Sequence, residues 1–167
     1  MGATVGHAGG AVSEETAPVE NEDIATFTAT FENGAVGTFS ISRVHHGLPN
    51  GLGFEVYGGA GCASFDLNHP GVFGFADQGP DGKTNGRREV LVGPQHPGIA
   101  KGIAMDFPSV GYGQNDLFAW QSRAFLDQVA GLGKLPPVPS LAHGLHNMKI
   151  LAAVTESAVD GGGPVIV

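Results

Sequence analysis

Apolar and polar residues alternate along the chain from Ile24 to Phe31. Ala25, Phe27, Ala29 and Phe31 fall in one row, and Thr26, Thr28 and Thr30 fall in the other. A period of two marks a half-buried strand. A second alternating run starts at Ala35 and sets Gly37, Phe39 and Ile41 in one row, with Arg43 next in it and Thr38, Ser40 and Ser42 opposite. Asn33-Gly34 lies between the runs and is the pair that a two-residue type I′ turn prefers. The pattern predicts a hairpin of strands 24–31 and 35–44, and Arg43 ends an apolar row in a guanidinium.

The same period continues downstream. Strands are predicted at 52–57, with Phe54 and Val56 on one face, at 62–67, with Ala63, Phe65 and Leu67 alternating, and at 72–76 and 88–92. Gly58-Gly59-Ala60-Gly61 turns the chain, and a polar loop over 77–87 joins the last two strands. A long loop with Pro94, Pro97 and Pro108 fills 93–109, a length at which loops tend to be functional. The period then changes. Leu117, Trp120 and Ala124, with Phe118, Phe125 and Val129, follow helical spacing. Asn115 or Asp116 is available to cap that helix, and Gly131 ends it. A Pro-rich connector over 135–139 leads to Ser140, a favourable N-cap for a second helix through Ala158. Leu141, Leu145, Met148, Ala152 and Thr155 are its predicted buried stripe. Gly161 to Gly163 stop it, and 164–167 is read as a last strand. The predicted class is α+β: an open, mainly antiparallel sheet of about six strands with helices packed on one face. Residues 1–19 read as a flexible or severed N-terminal connection, and 20–167 as the domain.

Composition narrows the function. The 167 residues carry a net charge of -8, which disfavours nucleic acid, whose phosphates need a basic surface. No apolar run approaches the roughly 18 residues that span a bilayer, so no membrane is expected as a partner. Cys62 is the one cysteine, so no internal disulfide is expected and the predicted location is cytoplasmic. The charged fraction is only 14% and Gly numbers 28, which suits broad sheet surfaces partly covered by a partner.

Few residues arrange themselves for chemistry. Gly59-Ala60-Gly61 follows a strand but leads into another strand, whereas a dinucleotide loop needs a helix N-terminus there. The pairs His45/His46 and His143/His146 match no zinc spacing, and no metal is expected. No Gly-x-Ser-x-Gly elbow occurs. Arg43 is the strongest single candidate, as a donor fork for a hydroxyl or carbonyl oxygen. The alternative is a stem packed on Phe39 and Ile41 with its head in solvent. Asn50 offers an amide at the far end of the next loop, and Tyr112 a hydroxyl just before the first helix. The Ser/Thr face (Thr26, Thr28, Thr30, Thr38, Ser40, Ser42) is either hydrated or an interface with another sheet.

The run Asn21-Glu22-Asp23-Ile24-Ala25, then Phe31-Glu32-Asn33-Gly34-Ala35-Val36-Gly37-Thr38, then Ser42-Arg43, resembles the C-terminal domain of the Gfo/Idh/MocA oxidoreductases. So do Phe54-Glu55-Val56-Tyr57-Gly58 with Gly61, Phe125-Leu126, and Ser140 to Gly144 leading to Glu156-Ser157-Ala158. Leu91 to Pro97 is similar to members acting on sugars and inositols. The resemblance covers residues 20–167. It implies a parent enzyme that moves a hydride between NAD or NADP and a sugar or polyol. The cofactor would sit in a separate Rossmann domain, this domain would contribute the substrate cleft, and its open sheet face would form a homo-oligomer. The family's Glu-Lys-Pro and Asp-x-x-x-His motifs are absent here, so no catalytic residue is carried over. The chain alone is expected neither to bind NAD(P) nor to turn over. Arg43, Asn50 and Tyr112 stand as candidate substrate contacts. The alternative reading is a stand-alone, non-catalytic sheet module for self-association or sugar binding.

Overall fold

The computed structural model describes residues 18, 21–48, 50–77, 86–96, 99–100 and 113–167. These contain six strands and two helices: β1 (Ile24–Thr30), β2 (Val36–Ser42), β3 (Gly53–Gly58), β4 (Gly61–Asp66), β5 (Val72–Asp77), β6 (Arg88–Leu91), α1 (Gln114–Val129) and α2 (Leu141–Val159). The class is α+β and every strand pair is antiparallel. The expected N-terminal connection, the polar 77–87 loop tip and most of the 93–109 loop lie outside the described residues, except for the few positions named above.

The six strands divide between two sheets, β1-β2 and β3-β4-β5-β6, where the alternation predicted a single one. Alternation reports which residues share a face, not which strand lies beside which. The chain likewise divides into two units, Met1–Pro49 and Asn50–Val167.

In the first unit, Phe27 pairs with Phe39, Thr28 with Thr38 and Ala29 with Gly37. The two phenylalanine rings stack with centroids 4.7 Å apart. The turn differs from the expected type I′. Only Gly34 has positive φ, at 83°, and Asn33 does not. Gly34 N–H donates to the Phe31 carbonyl and Phe31 N–H to the Ala35 carbonyl, both at 2.8 Å. This is a three-residue loop closing on a bulged glycine. Asn33 contributes through its side chain instead, with Oδ1 accepting from Ala35 N–H at 3.0 Å.

In the second unit, β3 to β6 form a meander whose faces differ. Phe54 and Phe65 face each other on one side, 5.7 Å apart. On the other, Glu55, Ser64 and Gly74 form a row across three strands. Gly61 and Gly74 lack a side chain because the space is taken. A Cβ on Gly61 would strike the Ala76 carbonyl oxygen, and one on Gly74 would strike Ser64 Oγ and the Arg87 guanidinium. Asp77 receives two hydrogen bonds from Arg88, at 2.7 and 3.1 Å, and the guanidinium lies 5.0 Å over the Phe75 ring. That pairing holds the Asp77 carboxyl below its usual range and raises Arg88.

The helices begin as capping chemistry requires. Ser140 Oγ accepts from His143 N–H at 3.3 Å. For α1 the N-cap is Gly113, not Asn115 or Asp116, and Asp116 serves from the third position by accepting Gly113 N–H at 2.7 Å. Gly131 and Gly161 follow the two helices with φ of 66° and 69°. Residues 164–167 add no strand.

Burial sorts the faces of both helices. In α1, Leu117, Trp120 and Ala124 are half-buried, and Phe118, Phe125 and Val129 are exposed. In α2 the half-buried positions are Ile150, Ala153, Val154 and Ser157, and the predicted stripe is exposed, with Leu141 at 95%, Leu145 at 60% and Met148 at 61%. A helix apolar on most sides gives periodicity no means of choosing the covered face. Among the described residues, Ile99 and Leu135 are the buried hydrophobics.

Candidate functional site

Arg43 follows directly from the hairpin register. Pairing Ile24 with Ser42 sets Asp23 opposite Arg43. Arg43 N–H donates to the Asp23 carbonyl at 3.0 Å, and its Nε lies 3.9 Å from Asp23 Oδ1, with both side chains about half exposed. The ion pair engages Nε, and the guanidinium's terminal nitrogens make no hydrogen bond among the described residues. They are available to a hydroxyl or carbonyl oxygen. Ser42 Oγ accepts from Val44 N–H at 3.2 Å and steadies the exit of the strand, and His45 and His46 beyond it are exposed.

Asn50 opens the second unit. It is exposed and has φ of 20°, the one positive value outside glycine among the described residues. Tyr112 lies outside the described residues. Arg43 and Asn50 therefore belong to different units, each described by itself, and the three candidates do not form a described cluster.

Two polar arrangements escaped sequence reasoning. The first spans β3 and β4. Arg87 lies over Gly74 and donates to Ser64 Oγ, and at 3.4 Å to Glu55 Oε1. Tyr57 donates to Glu55 Oε2 at 2.6 Å. That hydrogen bond, with the carboxylate's charge, raises the Tyr57 hydroxyl above its ordinary value. The signal in the sequence is Gly74 between Phe73 and Phe75, since a glycine inside a strand marks a close approach. The second is Asp127, only 3% exposed. Its Oδ2 accepts from Lys134 N–H at 2.9 Å and Leu135 N–H at 3.2 Å, while Oδ1 has no partner. Gln128 Oε1 accepts from Val138 N–H at 3.0 Å. Together they bind the connector to the end of α1, which sets where α2 begins.

The described residues do not form a dinucleotide cradle. The Gly58–Gly61 turn joins two strands that pair across it, not a strand to a helix. No group of three His, Cys, Asp or Glu among the described residues could hold a metal ion, and no described helix is long and apolar enough to cross a membrane.

The chain belongs to the Gfo/Idh/MocA oxidoreductases: residues 2–167 match the model of the oxidoreductase family C-terminal alpha/beta domain. It is 30% identical over 141 residues to the levoglucosan dehydrogenase of Pseudarthrobacter phenanthrenivorans, covering 84% of this chain and 35% of that protein. Among solved structures, an oxidoreductase domain protein from Kribbella flavida aligns with a TM-score of 0.78 at 33% identity, over 92% of this chain and 39% of that one. Levoglucosan dehydrogenase in complex with NADH and levoglucosan aligns with a TM-score of 0.78 at 28% identity, over 87% of this chain and 38% of that one. The chain thus spans a little over a third of the relatives it matches.

Proposed function

We propose that this chain is the substrate and oligomerisation domain of an NAD(P)-dependent dehydrogenase acting on a sugar or polyol. The observation that carries the reading is the match to levoglucosan dehydrogenase across most of the chain. Solved relatives hold NADH together with levoglucosan or L-sorbose, both polyhydroxylated carbohydrates. The nicotinamide supplies the hydride chemistry, and it is held by a domain outside this chain. The chain's own contribution is to bind and orient hydroxyl groups, with Arg43 as the first candidate and Asn50 and Tyr112 as further candidates. The hairpin face supports the oligomer role: Thr26 faces Ser40 and Thr28 faces Thr38, all four exposed and uncharged. Such a flat row suits sheet-on-sheet contact.

The test is a calorimetric titration of the 167-residue chain with NADH and NADPH. No binding is expected at micromolar concentrations, and micromolar binding would overturn the division of labour. In the full-length enzyme, Arg43→Ala is expected to raise KM for the carbohydrate about tenfold, the loss of one charge-assisted hydrogen bond. KM for the nicotinamide should not move. Unchanged carbohydrate KM removes Arg43 from the cleft.

A further inference from the structure

Asn-Gly occurs three times in the chain, at 33–34, 50–51 and 85–86. The pair is chemically unstable in water. The glycine nitrogen can add to the side-chain carbon of the asparagine and close a five-membered ring. Glycine hinders this least, because it carries no Cβ and leaves the backbone free to turn. The structure describes both residues of the first two pairs, and all four are exposed, so access to water does not separate them.

Hydrogen bonding does. At the first pair both reacting groups are held. Gly34 N–H donates to the Phe31 carbonyl at 2.8 Å, and Asn33 Oδ1 accepts from Ala35 N–H at 3.0 Å. Ring closure there breaks both bonds and opens the turn that joins β1 to β2. At the second pair, neither the Asn50 side-chain amide nor Gly51 N–H has a hydrogen-bond partner among the described residues. β3 starts only at Gly53, so no ladder restrains the pair.

We propose that Asn50 is a self-modification site, converted through a succinimide to isoaspartate and aspartate, and that Asn33 in the same dipeptide is spared. The Gly51 nitrogen gives its proton to solvent and bonds to Asn50 Cγ. The side-chain nitrogen takes up a proton and leaves as ammonia. Water then opens the ring. Attack at Cγ breaks the new bond and leaves aspartate. Attack at the backbone carbonyl carbon breaks the original peptide bond and leaves isoaspartate, with the chain routed through the side chain. One water enters, one ammonia leaves, and nothing is oxidised or reduced. The N–H donors of Asn50 give way to carboxylate acceptors at a residue offered above as a carbohydrate contact, but the modification does not depend on that role.

The experiment incubates the folded 167-residue chain at mildly alkaline pH and digests it in acid, which halts ring closure. Mass spectrometry then quantifies the amide, aspartyl and isoaspartyl peptides at each position. Asn50 is expected to convert about thirtyfold faster than Asn33, the ratio set by two hydrogen bonds that only Asn33 must give up. In guanidinium chloride those bonds are gone, and the two rates should agree within about threefold. Gly51 is not among the glycines with positive φ, so Gly51→Ala needs no change of backbone. Its methyl beside the attacking nitrogen should slow Asn50 about tenfold and leave Asn33 unchanged. Equal rates in the folded chain would overturn the proposal. So would aspartate at position 50 without isoaspartate, which marks direct hydrolysis, or undiminished conversion in Gly51→Ala. A ratio that persists in guanidinium chloride would also overturn it, by tracing the difference to the flanking Glu32 and Pro49 rather than to the fold.

Discussion

Gly61→Ala is expected to lower the thermal midpoint of the chain by roughly 5–10 °C, equivalent to about 2–3 kcal/mol of overpacking. The added methyl would occupy the position of the Ala76 carbonyl oxygen, and that atom is backbone. A side chain could rotate away, but a carbonyl can move only if β5 moves. Gly61 pairs with both Gly58 and Asp77, so it sits where β3, β4 and β5 meet at one end of the meander. Gly59, two residues earlier in the same turn, is the control. A Cβ there meets nothing within 4 Å, and Gly59→Ala is expected to stay within about 0.5 kcal/mol of the parent. Equal effects at the two positions would show that the turn's flexibility, and not the close approach of β5, accounts for Gly61.

Asp127→Ala is expected to cost about 2–3 kcal/mol in urea unfolding with an unchanged m value. The carboxylate accepts two backbone N–H groups from the connector, and its burial leaves little water to replace it. Without it, Lys134 and Leu135 lose their acceptor beside one of the buried hydrophobic side chains. Asp127→Asn retains an oxygen in the same position and should recover more than half of the loss. It should not recover all of it, because the amide nitrogen would take the place of Oδ1, which has no partner. A loss below about 0.5 kcal/mol in the alanine variant would mean that the Gln128–Val138 hydrogen bond and the burial of Leu135 suffice to hold the connector to α1.

The alternating faces of the two strands were legible, but the register was not, because the expected two-residue turn pairs Glu32 with Ala35 and sets Phe27 opposite Ser40, whereas Phe27 pairs with Phe39. Nor was the detailed turn, since Asn-Gly suits both a two-residue and a three-residue loop, and only the backbone angle at Asn33 separates them. The α2 stripe was misread for a different reason. Leu141, Leu145 and Met148 share a face as predicted, but the half-buried face is that of Ile150, Ala153 and Val154, and a helix apolar on both faces gives periodicity no means of choosing between them. The site was legible in fragments. Arg43 could be singled out, but its opposition to Asp23 comes only from the observed register, in which Ile24 pairs with Ser42. The Glu55–Arg87–Ser64 network joins residues 32 and 23 positions apart, and only the pairing of β3, β4 and β5 reveals it.

Trp120 has a consequence for how this protein is studied. It is the single tryptophan, half-buried on the covered side of α1, and both tyrosines also lie beyond Pro49. Intrinsic fluorescence therefore reports on one unit and is blind to the hairpin. Melting of β1 and β2, with the arginine at their open end, would pass without a signal. A dye or isotope label in that unit is needed before any optical transition is taken to describe the whole chain.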